Sequence, residues 1–167
     1  IKGGAYLEAA SNLKAIAFDK TGTLSIGKPK VCEIVKINNA SEEKILELSG
    51  SIESRSEHPL GDAIVQYAKE KDITFSAIND FEAIPGRGVK AKINGQIYYT
   101  GSIALFKEQV NGLAIAREEI KRLQGEGKTT VLLGTDKEII GLIAIADQIR
   151  PEAKEATPAL VRIFREG

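Results

Sequence analysis

The sequence predicts an α+β domain, an antiparallel sheet flanked by helices, joined at either end to pieces of an α/β fold. Three observations carry this. The apolar run at residues 15–18 ends in Asp19-Lys20-Thr21-Gly22-Thr23. That is a strand-to-turn exit, and in open α/β sheets ligands bind at the carboxyl ends of strands. Residues from about 30 to about 145 interleave strand-like runs, hairpin signals and helix-period stretches. Finally, Asp147-Gln148-Ile149-Arg150 departs from that pattern, and Pro151 then begins a helix to the end, with Pro158 set to kink or break it.

Composition narrows the classes. The 167 residues suffice for one substantial domain, or one domain plus part of another. Apolar residues make up 43% and charged residues 28%, the balance of a soluble globular chain. Lysine plus arginine equals aspartate plus glutamate, 23 each, which argues against nucleic acid or an anionic membrane surface as partner. The single cysteine, Cys32, excludes an internal disulfide and reads as a small core or edge residue. The longest apolar run, residues 139–146, is far too short to span a bilayer. The chain opens at Ile1 and has no methionine, which reads as an excised fragment.

In chain order, Ile1-Lys2-Gly3-Gly4 and residues 5–13 read as a turn and a short helix. Residues 24–29 carry Ser, Gly, Lys and Pro and read as a hinge. Val31, Glu33, Val35 and Ile37 alternate as one face of a strand. Ser41 with Glu42 and Glu43 starts a helix that Ile45, Leu48 and Ile52 continue. Pro59 suits the first turn of a second helix, whose apolar face is Leu60, Ala63, Ile64, Tyr67 and Ala68. Strands follow at 81–84, 89–93 and 96–99, with Asn94-Gly95 as a hairpin turn. Helices at 103–110 and 115–123 precede a second hairpin, 129–133 with 139–146, around residues 134–138.

Asp19 offers a carboxylate nucleophile, and Lys20 to Thr23 supply a cation, hydroxyls and open backbone N–H groups for a phosphate. An ordinary strand exit would use Asp and Gly as well, but not the whole pentapeptide. Asp-Lys-Thr-Gly-Thr resembles the phosphorylation motif of P-type ATPases, the ion pumps of the haloacid-dehalogenase superfamily. The resemblance implies that Asp19 accepts the γ-phosphate of ATP. Related phosphatases carry a second Asp at position 21 as general acid and base; Thr21 cannot do that work, so an aspartyl phosphate should persist. Tyr6-Leu7-Glu8 and its surroundings resemble the segment after the last core membrane helix in heavy-metal pumps, nearest the zinc/cadmium/lead branch.

The same resemblance implies a layout. Residues 1–27 would be the first part of a haloacid-dehalogenase-like α/β phosphorylation domain, 28–146 an inserted nucleotide-binding domain, and 147–167 a truncated return. Ser56-Glu57-His58-Pro59-Leu60 resembles the Ser-Glu-His-Pro motif of the heavy-metal branch, so His58 and Glu53 become adenine contacts. At a helix start the positive dipole end disfavours imidazolium, and a neutral His58 ring can stack on a base or exchange hydrogen bonds with it. Glu53 could accept from the adenine amine. A capping His and a solvated Glu are the plain alternative. Pro85-Gly86-Arg87-Gly88 resembles the Gly-x-Gly of this domain; Gly86 and Gly88 remove side chains so that a flat base or ribose can approach. A β-bulge would use the same glycines, and Ala91 excludes a dinucleotide fingerprint. Ser102 stands where heavy-metal pumps often carry Asn after Thr-Gly. Asp147 and Arg150 resemble the Asp-x-x-Arg/Lys element of the return hinge, where Arg150 pairs with Asp147 or meets the nucleotide phosphates.

ATP and Mg²⁺ are the implied cofactors, with Asp19 and the Thr21 carbonyl as metal ligands. The implied partners are the remaining phosphorylation, actuator and membrane domains of one pump, at the cytoplasmic face of a membrane. The isolated chain is expected to be a monomer. The family's Thr-Gly-Asp, catalytic Lys and Gly-Asp-Gly-x-x-Asn-Asp do not occur before Gly167, so this stretch alone is expected not to turn ATP over. The alternatives are a stand-alone phosphatase with a cap domain and a non-catalytic nucleotide-binding module.

Overall fold

The computed structural model describes residues 24–109 and 113–153. Their elements in order are β1 (Ser25–Lys36), α1 (Glu42–Glu53), α2 (Pro59–Glu70), β2 (Asn79–Ile84), β3 (Gly88–Ile93), β4 (Gln96–Gly101), α3 (Ile103–Gln109), α4 (Leu113–Gly125), β5 (Thr129–Gly134) and β6 (Ile139–Ile149). The six strands form one antiparallel sheet in the order β1-β6-β5-β4-β3-β2. The chain divides into two compact units, residues 29–146 and residues 1–28 with 147–167.

In the larger unit both faces of the sheet are covered. Ile45, Leu48 and Ile52 of α1, with Ala63 and Ile64 of α2, pack on Val89, Ala91, Ile93, Val131 and Ile143. On the other face Leu105 and Phe106 of α3, with Ala116, Ile120 and Leu123 of α4, pack on Leu132, Leu142 and Ala144. Successive residues of β5 and β6 therefore enter opposite cores, which is why both strands are near-continuous apolar runs rather than alternating ones.

Local chemistry explains the element ends. Ser41 caps α1 by accepting the Lys44 N–H at 3.2 Å, with Glu42 and Glu43 in the first turn. Asn94 and Gly95 turn the β3–β4 hairpin with φ of 50° and 85°.

Two expectations change. The stretch 24–29, expected as a hinge between strands, is itself strand from Ser25 to Pro29, and the division between the two units falls within it, after Lys28. Proline is tolerated there because β1 is an edge strand, where a missing N–H need cost no ladder bond. The predicted face of β1 also breaks. Val35 and Ile37 lie against the α4 core, and Glu33 pairs with Arg122 of α4, but Val31 joins Ile34 in the opposite core. An edge strand accommodates such a slip because it has one neighbour to stay in register with. Hydrogen bonds from Arg122 and Lys128 hold the Glu33 carboxyl down to about 2.

In the smaller unit β6 continues through Asp147 to Ile149, and residues 151–153 are helical, as the change of pattern at Pro151 predicts. Among the described residues no helix is long and apolar enough to cross a membrane.

Candidate functional site

The C-terminal end of α1, the loop to α2, the β2–β3 turn, the end of β4 and the start of β5 surround a cavity of about 450 Å³ in the larger unit. Glu53, His58, Gly86 and Gly88, separated in sequence, all line it. So does Ser102. Asp19 and Thr21 lie outside the described residues. Asp147 and Arg150 belong to the smaller unit. There Asp147 accepts a short hydrogen bond from the Ser25 hydroxyl, while Arg150 Nε donates to the Ser25 carbonyl at 3.2 Å. The backbone N–H of Arg150 donates to the Leu24 carbonyl at 2.9 Å.

Each cavity residue is placed by its element. His58 is the N-cap of α2, and its Nδ1 accepts the Leu60 N–H at 3.2 Å. A ring nitrogen that accepts needs a free lone pair, so the neutral ring carries its hydrogen on Nε2, on an exposed side chain. Capping and ligand contact are thus compatible: one nitrogen serves the helix and the other remains a donor.

Glu53 is the last residue of α1 and is only 6% exposed, not solvated. Its carboxylate lies against Gly61 of α2, where a Cβ would come within 2.5 Å of Oε2. Burial pushes the carboxyl up to about 7; a hydrogen bond from Ser56 opposes this, and the negative charge of Asp62 adds to it. A carboxyl whose pKa is raised on folding holds a proton that the unfolded chain releases. Its penalty is absent below the unfolded value of about 4.5 and complete above about 7. Thermal stability is therefore expected to fall as pH rises through that window, by on the order of 3 kcal/mol. Melting curves of Glu53→Gln should lack that fall; an equal slope in the variant would assign it elsewhere.

The two glycines of the β2–β3 turn differ. Ile84-Pro85-Gly86-Arg87 is a type II turn, with Arg87 N–H donating to the Ile84 carbonyl at 3.0 Å and Gly86 at φ 70°. Among the described residues, chain neighbours aside, no atom lies within 4 Å of a Cβ built on Gly86, so its missing side chain leaves open space. Gly88 lines the cavity as well, and its missing side chain faces β4: a Cβ there would lie 2.2 Å from the Thr100 carbonyl, across the Gly88–Gly101 strand pair. Gly88 is required by strand approach, and no bulge is present at it.

Gly61 and the β5 wall, Thr129 to Val131, were not anticipated. Gly61 had no local signal, because its role depends on where α1 ends. The β5 residues are distant in sequence and reach the site only through the sheet. Among the described residues no group of three or more His, Cys, Asp or Glu could hold a metal ion. The Mg²⁺ expectation rests on Asp19 and Thr21 alone.

The model of the haloacid dehalogenase-like hydrolases matches residues 13–162. The chain belongs to that family. Within the haloacid dehalogenase-like hydrolases, its similarities are to heavy-metal pumps. It is 44% identical over 160 residues to a probable cadmium-transporting ATPase of Alkalihalophilus pseudofirmus, covering 93% of this chain and 22% of that protein. Among solved structures it resembles a zinc-transporting PIB-type ATPase in the E2.Pi state, with a TM-score of 0.79, 32% identity, and coverage of 98% and 26%. The catalytic domain of the CPx-ATPase CopB-B, studied for conformational changes upon nucleotide binding, matches with a TM-score of 0.67 at 27% identity, covering 98% and 55%. The resemblance to heavy-metal P-type ATPases read from the motifs holds over nearly the whole chain. The chain spans about a quarter of the length of the pumps it matches.

Proposed function

We propose that this chain is the ATP-binding and phosphorylation portion of a heavy-metal-translocating P-type ATPase. Residues 28–146 form its nucleotide-binding domain, inserted between 1–27 and 147–167 of the phosphorylation domain, and ATP phosphorylates Asp19 to drive metal-ion export. The observation that carries the reading is the cavity, which gathers Glu53, His58 and Gly86 from three separate segments. Its apolar walls include Ile84 and Val89, a surface suited to a flat base. Glu53 accepts from the adenine amine, the His58 ring contacts the base while its Nδ1 holds α2, and open space at Gly86 admits the base or ribose. Arg150 meets the nucleotide phosphates, on the strength of the Asp-x-x-Arg resemblance, while Asp147 holds the Ser25 hydroxyl. Mg²⁺, held by Asp19 and Thr21, would neutralise charge on the phosphoryl group as it transfers. The partners are the other domains of the same pump, and the site faces the cytoplasm.

Calorimetry tests the site. The chain is expected to bind ATP at roughly micromolar to millimolar strength, about 4–8 kcal/mol, and to prefer it to GTP near neutral pH or below. Equal affinity for both across that range sinks the adenine reading. In the intact pump, γ-labelled ATP should leave an acid-stable label that Asp19→Asn abolishes; label surviving in the variant moves the phosphorylation site.

A further inference from the structure

The position of Glu53 has a consequence for base selection that a simple carboxylate contact does not have. The side chain ends α1 inside the cavity wall, closed from behind by Gly61 and touched by the Ser56 side chain. Among the described residues the charged group that acts on it is Asp62, another carboxylate, whose negative charge adds to the effect of burial. The other charged or titratable side chains of the cavity are Glu57 and His58 before α2 and Arg87 in the β2–β3 turn. An ionised carboxylate has acceptors only, whereas a neutral carboxyl has one O–H donor and one carbonyl acceptor.

The bases differ in the matching way. Adenine presents an amine donor beside a ring-nitrogen acceptor. A carboxylate satisfies the amine but sets its second oxygen against the ring-nitrogen lone pair. A carboxyl satisfies both. Guanine presents adjacent N–H donors on its Watson–Crick edge, which a carboxylate accepts in bidentate fashion.

We infer that Glu53 reads the base in its neutral form, the hydroxyl donating to an adenine ring nitrogen and the carbonyl oxygen accepting from the amine, so that its protonation state sets the preference for ATP over GTP. The inference rests on the nucleotide reading of the cavity. Burial with Asp62 nearby places the titration at about 7, so the preference changes within the ordinary range of pH. Below that value the site is an adenine reader. Above it, the site loses ATP and gains on GTP.

The experiment is the ratio of ATP to GTP dissociation constants, measured calorimetrically on the full chain from about pH 6 to about pH 8. Taking the ratio cancels titration of the nucleotide phosphates, which both ligands share. If only the protonated form binds adenine well, ATP affinity should fall by about tenfold across that range, and the ATP preference by more, since the ionised form gains on GTP. Glu53→Gln, whose amide carries one donor and one acceptor but does not titrate, should flatten the pH profile of that ratio. A carbon-13 titration of the Glu53 carboxyl in the unaltered protein needs no variant. Its midpoint must rise with saturating ATP and fall with saturating GTP, because each ligand favours the form it binds.

A ratio that does not move with pH overturns the inference while leaving the nucleotide site standing. So does a midpoint that ATP lowers. A pH profile that persists in Glu53→Gln assigns the switch to His58 or another group and overturns it equally. If neither nucleotide binds at any pH, the nucleotide reading itself fails and this inference falls with it.

Discussion

Gly88→Ala is expected to cost the larger unit a large part of its stability. The added Cβ would sit 2.2 Å from the Thr100 carbonyl and 2.6 Å from the Gly101 Cα, both backbone atoms of a paired strand that cannot swing aside. The residue also holds φ 154°, which side chains with a Cβ rarely adopt. Strain and overpacking together amount to roughly 3–5 kcal/mol, against a typical total of about 5–15 kcal/mol. A drop in melting temperature on the order of 10–20 °C should follow. Gly86→Ala is the matched control. It carries only the left-handed backbone term of about 1–2 kcal/mol, because among the described residues, chain neighbours aside, nothing lies within 4 Å of the new atom. Differential scanning calorimetry of the two variants separates them, and equal melting temperatures would remove the strand-approach role assigned to Gly88.

Gly61→Ala should do the reverse, weakening ligand binding while sparing the fold. Position 61 lies in the first turn of α2, where alanine is intrinsically better than glycine by up to about 1 kcal/mol. Its Cβ would meet Glu53 Oε2 at 2.5 Å and the Ser56 hydroxyl at 3.2 Å. Both are side-chain ends, so they can yield, and the carboxyl must leave the position from which it faces the cavity. ATP affinity should fall by about tenfold or more, on the scale of one good bidentate base contact at about 1–3 kcal/mol. The melting temperature should hold or rise, since the displaced carboxyl regains solvent. Unchanged ATP affinity in a folded Gly61→Ala would show that Glu53 does not contact the base.

The two glycines show why part of the site could be read in the sequence and part could not. Ser56 to Leu60 announces itself because a capping residue and a first-turn proline act within five residues of chain. The Pro85-Gly86 turn is equally local, its geometry set by one fixed φ and one positive φ. Gly61 and Gly88 look like any other glycines. What each accommodates is a group brought in from another element, the end of α1 for one and β4 for the other.

The sequence by itself determined the elements, their order and the hairpins. Helix period, caps and turn residues act over a few positions and hold whatever surrounds them. It also carried the Asp19 motif and, through it, the heavy-metal resemblance that the relatives bear out. Tertiary structure decided the rest. The sheet order β1-β6-β5-β4-β3-β2 makes β1 an edge that can hold Pro29, and it brings Thr129 to Val131 to the same cavity as Glu53. Above all, it decided the state of Glu53. The letters alone suit a solvated helix-end glutamate; burial against Gly61, with the negative charge of Asp62 added, makes the carboxyl hold its proton to about 7. Charge state depends on the whole environment of a group, and that environment is assembled only when distant segments pack.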